Sequence, residues 1–320
     1  MINVIQVGIG ALGQQVLQYL SERDGVNVVG VVDLNPDLIG KDISEIVKTE
    51  TTGVVVYKSL EEAKSKAKEK PEVAVLTTVS SIEKLVGQVE EAAKSELHVV
   101  STCEELTFPW KQHPKAAEKI DSICKEYGVS CLGTGINPGF LMDYLPSAFT
   151  SVCQRVDSIT VERIQDASVR RIPFQQKIGA ALSHDEFQAK KDNGTLRHVG
   201  LPESVDLIAQ AMGWDLDENR ETLEPVIAKE KITNGYKPIE KGNPAGVEQV
   251  GSGFINGEEK SYDKIIIKGL PNITTEIDGG LNGDVATCAI TVNAVRSVVG
   301  SVPGLKTMLD VPVPAYFSKV

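Results

Sequence analysis

The segment that most restricts the fold is Val7-Gly8-Ile9-Gly10-Ala11-Leu12-Gly13, where three glycines take the G-x-G-x-x-G spacing between an apolar run and a helical stretch. A strand that turns into a helix over so few residues needs Gly8 for a tight turn. It needs Gly10 so that the backbone can approach a phosphate, and Gly13 so that helix and strand can pack closely. The helix N-terminus then turns its free N–H groups toward a pyrophosphate. The next apolar run ends in Asp33, 20 positions after Gly13, where a carboxylate can accept hydrogen bonds from an adenine-ribose diol. This register predicts a dinucleotide site built from Gly8, Gly10, Ala11, Leu12, Gly13 and Asp33. Asp33 repels a 2′-phosphate, so NAD is expected ahead of NADP; Lys41, close in sequence, keeps NADP open.

The pattern continues as β-α alternation. Strands are expected at residues 3–7, 26–32, 73–76, 98–101 and 129–132, and helices at 11–21, 59–68, 82–94 and 115–127. Continuous apolar strands separated by amphipathic helices predict a parallel, doubly wound sheet of the Rossmann type, covered on both faces. Beyond Ile136-Asn137-Pro138-Gly139 the texture changes to strands at 156–164, 247–255 and 264–270, with a helix near 205–212. That reads as a second α+β domain with a mostly antiparallel sheet. The expected division is a Rossmann domain at 1–135 and a substrate and dimerisation domain at 136–284. A helix at 285–299, capped by Asp284, leads the remainder, 285–320, back onto the first domain.

Composition removes several function classes. A net charge of −11 argues against a grip on nucleic-acid phosphates. No run approaches the roughly 20 apolar residues of a membrane span, and the chain opens without a signal-peptide pattern, so a soluble, cytoplasmic protein is expected. The five cysteines show no Cys-x-x-Cys spacing and read as reduced thiols. His98, His113, His184 and His198 lack ligand spacing, so no metal is expected.

In such a sheet the chemistry gathers at the carboxyl ends of the strands. Thr77, Thr78 and Thr102 there can hold the cofactor, or can merely satisfy strand-end backbone groups. Glu104 and Glu105 offer a general base beside a hydride-transfer site, or a solvated pair that caps the next segment. Asn137, within the small-residue segment Gly133-Thr134-Gly135-Ile136-Asn137-Pro138-Gly139, can wall a cofactor cleft or form a hinge. The polar stretch from Arg163 through Arg170 and Arg171 to Lys177 can bind a carboxylate or complete a dimer surface.

Taken together, Val7 to Gly13, Ser101-Thr102-Cys103-Glu104-Glu105-Leu106, Gly133 to Phe140, Asp166-Ala167-Ser168-Val169-Arg170-Arg171-Ile172-Pro173, Gly279-Gly280-Leu281-Asn282-Gly283-Asp284-Val285-Ala286-Thr287, Val292-Asn293-Ala294 and Pro303-Gly304-Leu305-Lys306-Thr307-Met308 resemble the 2,4-diaminopentanoate dehydrogenases and native amine dehydrogenases, relatives of dihydrodipicolinate reductase. The resemblance runs through nearly the whole chain. The Cys-Glu-Glu and Gly-Gly-x-x-Gly-Asp-x-Ala-Thr segments carry it most specifically. It implies NAD(P)-dependent oxidative deamination of an amine or diamino acid to a ketone and ammonia. It also implies a catalytic glutamate at Glu104 or Glu105, with Glu104 preferred, and a homodimer joined through the second-domain sheets, with the cofactor cleft between domains. Phe140, Met142, Phe174 and His184 are the substrate-lining candidates on resemblance and placement. The basic, histidine-bearing signature of dihydrodipicolinate reductases is missing, which disfavours that activity. Two other readings stand beside this one: an imine or carbonyl reductase that turns over without ammonia, and a dinucleotide sensor without turnover.

Overall fold

The structure, a computed structural model, describes residues 1–163, 168, 172–255, 258–263, 265–277 and 280–317. The chain divides into two units, Met1–Leu145 with Leu281–Val320, and Pro146–Gly280. In chain order the first unit contains β1 (Ile2–Val7), α1 (Ala11–Glu22), β2 (Val26–Val32), β3 (Val56–Tyr57), α2 (Leu60–Lys66), β4 (Val73–Leu76), α3 (Ile82–Lys94), β5 (His98–Ser101), α4 (Pro109–Gln112), α5 (Pro114–Glu126) and β6 (Ser130–Gly133). After α6 (Tyr144–Phe149) the second unit holds β7 (Arg155–Val161), α7 (Ile172–Lys177), α8 (His184–Asp192), α9 (Leu201–Met212), β8 (Glu218–Ile227), β9 (Pro244–Ile255), β10 (Glu258–Asp263), β11 (Ile266–Leu270) and β12 (Ile273–Thr274). The chain then returns to the first unit through α10 (Gly283–Val299) and β13 (Gly304–Lys306).

The first unit is a seven-stranded sheet in the order β13-β6-β5-β4-β1-β2-β3, parallel at every pairing. Its central strands are largely apolar because both faces are covered. Ile5, Ala74, Leu76, Val99 and Cys131 pack against α2, α3 and α5, while Val4, Val73, Val75, Val100 and Leu132 pack against α1 and α10. The chain runs outward from β1 through β2 to β3, then crosses to β4 on the other side of β1. This reversal opens a crevice at the carboxyl ends of β1 and β4, where ligands of such sheets bind.

Residues 136–145, expected in the second domain, belong to the first unit. Ile136, Leu141 and Met142 are buried, and Phe140 and Tyr144 pack on the cluster beneath α10. Helix α10 also begins earlier than expected. Its N-cap is Asn282 rather than Asp284, since Asn282 Oδ1 accepts from the N–H groups of Asp284 (3.0 Å) and Val285 (3.2 Å). Asp284 falls inside the first turn, where its charge favours the helix dipole.

Arg23, just past α1, secures the C-terminal segment. It donates to Asn293 Oδ1 (2.8 Å) and the Phe317 carbonyl (3.1 Å), and its guanidinium lies 4.3 Å from the Tyr316 ring centroid. Arg23→Ala is expected to lower unfolding free energy by about 1–3 kcal/mol in urea titrations, with little recovery in Arg23→Lys, which lacks the planar fork.

His98 at the start of β5 accepts the Ser130 N–H at Nδ1 (3.1 Å). Burial holds its imidazole below the ordinary range, opposed by the charge of Glu72. The folded state therefore binds this proton less readily than the unfolded chain, and stability falls as pH drops through the unfolded-state value of about 6.5. His98→Asn keeps an acceptor in place and is expected to flatten the melting-temperature decline between about pH 7 and pH 5.

The second unit is a six-stranded sheet, β12-β11-β7-β10-β9-β8, antiparallel except where β10 runs parallel to β7. Helix α9 lies against β8 and β9. It buries Leu201, Val205, Leu207 and Ile208 along with Asp206, whose Oδ1 accepts from Asn219 Nδ2 (3.0 Å). Among the described residues no helix is long and apolar enough to cross a membrane.

Candidate active site

The glycine loop is built from beneath. Gln6 is fully buried in β1, and its Nε2 donates to the Gly8 carbonyl (3.0 Å) and to Thr77 Oγ1 (2.7 Å). Thr77 Oγ1 in turn donates to the same carbonyl (2.6 Å). Gly8 adopts φ +84°, and a Cβ there would lie 2.9 Å from the Thr77 carbonyl oxygen. A Cβ on Gly13 would collide with the Gly8 carbonyl, so helix and loop touch as the spacing predicts. Gly10 has nothing within 4 Å of its Cβ position, and it opens α1 without a side-chain cap or an acid in the first turn. Ala11 and Leu12 form that first turn. Asp33 closes the far side: its Oδ2 accepts from Ile9 N–H (2.7 Å) and its Oδ1 from Asn35 N–H (2.8 Å).

Hydrogen bonds beyond the strands hold the loops side by side. The N–H groups of Gly8, Thr77, Thr102 and Thr134 donate to the carbonyls of Val32, Val7, Leu76 and Ser101. Thr77 is engaged with Gly8, and Thr78 Oγ1 donates to Gln88 Oε1 (2.6 Å). The hydroxyls of Thr77 and Thr78 are thus engaged by the protein's own groups.

The two glutamates separate clearly. Both lie on a single 3-10 turn, residues 104–106, anchored on either side by buried Cys103 and Leu106. Gly133 lets the turn sit there, since a Cβ at Gly133 would lie 2.6 Å from the Leu106 carbonyl oxygen. Glu105 Oε2 accepts the Ile82 N–H at the start of α3 (2.8 Å) and lies 3.7 Å from His113 Nε2. Glu105 is therefore a helix cap. Glu104, half-buried on the same turn, has no hydrogen-bond or ion-pair partner for its carboxylate among the described residues. Burial, aided by the charge of Glu104, raises the Cys103 thiol far above its ordinary range, so Cys103 stays protonated and inert.

Asn137 stands on the loop after β6. Its Oδ1 is buried without a hydrogen-bond partner among the described residues, which requires an explanation. The start of α10 reaches the same loop, for Ile136 N–H donates to Thr287 Oγ1 (3.4 Å), and it also meets the first turn of α1, where Cys288 Sγ approaches the Leu12 carbonyl (3.8 Å). Thr287 and Gln6 have no place in the site read from sequence. Gln6 is signalled by a polar side chain inside an apolar strand, and Thr287 by its place in the Gly-Asp-x-Ala-Thr segment.

The substrate-lining candidates are divided between the two units, Phe140 and Met142 in the first and Phe174 and His184 in the second. Met142 is buried, and Phe140 stacks on Tyr144 with ring centroids 6.1 Å apart, so both serve the first unit's packing. Phe174 is half-buried in α7 of the second unit. His184 opens α8 at the surface, with Nε2 2.7 Å from the Gly242 carbonyl. Arg170 and Arg171, with Ile164, Asp166, Ala167, Val169, Lys264 and Gly279, lie outside the described residues.

Residues 140–261 and 258–319 match the model of the 2,4-diaminopentanoate dehydrogenase C-terminal domain, and residues 1–103 match that of the CoA binding domain. The chain is 32% identical over 335 residues to the 2,4-diaminopentanoate dehydrogenase of Acetoanaerobium sticklandii, covering 98% of this chain and 94% of that protein. It is 20% identical to an amine dehydrogenase of Streptomyces virginiae, across 98% and 96% of the two chains. An amine dehydrogenase structure from Mycobacterium smegmatis shares the fold, with a TM-score of 0.83 over 99% of this chain and 97% of that one at 19% identity.

Proposed function

The chain belongs to the 2,4-diaminopentanoate dehydrogenase family and is an oxidoreductase acting on amine groups; on that footing we propose that it catalyses the reversible, NAD-linked oxidative deamination of a small diamino acid resembling 2,4-diaminopentanoate, with Glu104 as its base. The observation that carries this reading is the division of work between the paired glutamates. Glu105 is held by the N-terminus of α3, whereas Glu104 presents a free carboxylate from a rigid turn.

The residues present fit a dinucleotide. The open space over Gly10 and the uncapped start of α1 suit a pyrophosphate, and Asp33 suits a ribose diol. The unpartnered Asn137 Oδ1 is an acceptor suited to the carboxamide N–H of a nicotinamide. When bound, that ring accepts a hydride from the carbon that bears the amino group.

The chain's own residues then handle protons. Glu104 first takes a proton from the substrate ammonium, because only the neutral amine has the lone pair that forms the C=N bond as hydride departs. After releasing that proton to solvent, the carboxylate accepts one from the water that adds to the iminium carbon. Glu104 hands that proton to the carbinolamine nitrogen and, as ammonia leaves, takes the hydroxyl proton, so that the ketone is left neutral. In reverse, Glu104 deprotonates ammonium and assists loss of water.

The deciding experiment follows NADH and NADPH consumption with short ketones and with 2-amino-4-oxopentanoate, each with and without ammonium. Turnover that requires ammonium, greatest with the amino-ketone, is the expected result. Turnover without ammonium replaces this reading with an imine or carbonyl reductase, and binding without any turnover replaces it with a sensor.

A further inference from the structure

The adenosine end of the crevice holds a cation that the sequence pattern does not single out. Strands β2 and β3 pair in parallel, Val31 with Val56 and Val32 with Tyr57, and the Asp33 N–H donates to the Tyr57 carbonyl (3.1 Å). Asp33 and Lys58 are therefore the next residues on two strands that lie roughly 4.8 Å apart. The Lys58 main chain is fixed between β3 and Ser59, the N-cap of α2, whose hydroxyl accepts from Glu62 N–H (3.2 Å). Its side chain is exposed and has no hydrogen-bond or ion-pair partner among the described residues.

Lys41, the cation nearest Asp33 in sequence, is displaced from this position. Its carbonyl accepts the Val56 N–H (3.0 Å) while the Gly40 N–H donates to the Val56 carbonyl (2.8 Å). That places residues 40 and 41 on the far side of β3, one strand further from Asp33 than Lys58. Acidic residues follow on both strands: Asp37 after β2, and Glu61 and Glu62 in the first turn of α2.

We propose that Lys58 is the residue through which this site admits a 2′-phosphate, so that the adenosine pocket accepts NADP as well as NAD. With NAD, the lone pairs of Asp33 not used by Ile9 and Asn35 accept from the ribose hydroxyls. With NADP, the Lys58 ammonium takes the phosphate and offsets the charge of Asp33 one strand away, without displacing the carboxylate from its two backbone donors. The inference rests on the dinucleotide reading above and is independent of which amine is the substrate.

Its test is direct binding. Dissociation constants for NADH and NADPH, read from reduced-nicotinamide fluorescence, and for 5′-AMP and adenosine 2′,5′-bisphosphate, read by calorimetry, are compared in wild type, Lys58→Gln and Lys58→Arg. Lys58→Gln is expected to raise the NADPH-to-NADH ratio of dissociation constants by about tenfold or more, with the same shift between the two nucleotides and near-wild-type ratios in Lys58→Arg. A ratio in Lys58→Gln within about twofold of wild type overturns the proposal, as does a wild-type protein that binds NADH and not NADPH. Failure to bind either cofactor overturns the dinucleotide reading itself. The expected ratios in a protein inactive on every amine leave the inference standing while the proposed reaction falls.

Discussion

Glu104→Gln is expected to lower amine turnover by about 100- to 10,000-fold while NADH still binds, because the amide keeps the shape of the side chain and loses the ability to take a proton. Glu105→Gln provides the internal control. Its amide oxygen can still accept the Ile82 N–H, but the negative charge at the N-terminus of α3 and beside His113 is gone. A loss of about 0.3–1 kcal/mol of stability is expected there, with turnover reduced less than about fivefold. Single-turnover rates, NADH dissociation constants and urea midpoints on both variants separate the two roles. Equal loss of turnover in both variants, or an active Glu104→Gln, would remove Glu104 as the base.

The first unit was legible because its physics is local. The central parallel strands are buried on both faces and so read as largely apolar runs, as Val73–Leu76 does, and α1 repeats its apolar positions every three or four residues at Val16, Leu17 and Leu20, whereas the short edge strands β3 and β13 are too brief to give such a signal. The second unit was legible only in part. Strand β8 escaped notice although it has 10 residues, because its more buried positions are Asn219, Glu221, Leu223 and Pro225, with only Leu223 giving a strong apolar signal. What holds β8 is pairing with β9 and the Asn219 bond to Asp206 on α9, neither of which leaves a periodic trace. Helix α8 escaped for a similar reason, with Phe187 its single buried residue.

The site divides along the same line. Gly8, Gly10, Gly13 and Asp33 could be placed from spacing alone because one strand-turn-helix unit and the strand after it fix them all. The choice between Glu104 and Glu105 could not be made that way. It depends on which carboxylate meets the start of α3, and that helix begins more than twenty residues earlier in the chain. The same holds for Thr287, whose hydroxyl reaches Ile136 from the far end of the sequence, and for Lys58, which only the β2–β3 register sets beside Asp33.

Two alanine substitutions in the glycine loop are expected to fail for opposite reasons. In Gly13→Ala the new methyl group meets the Gly8 carbonyl and lies 2.7 Å from Thr77 Oγ1, against a network that Gln6 and Thr77 already fill. Neither the backbone nor the hydroxyl, held by Gln6 and the Gly8 carbonyl, can retreat cheaply, so α1 must shift off β1. The expected cost is about 1–3 kcal/mol of stability, together with a loss of roughly 100-fold or more in NADH affinity as the helix N-terminus leaves its place. In Gly10→Ala the methyl group enters open space at φ −63°, a backbone angle any residue adopts. Stability should then change by less than about 1 kcal/mol while NADH affinity still falls roughly tenfold or more, because the methyl group occupies space that a phosphate must use. Thermal melts and NADH titrations on the pair therefore separate the loop's structural demand from its ligand's. A Gly10→Ala protein that binds NADH as tightly as wild type would mean that the pyrophosphate does not pass over this turn.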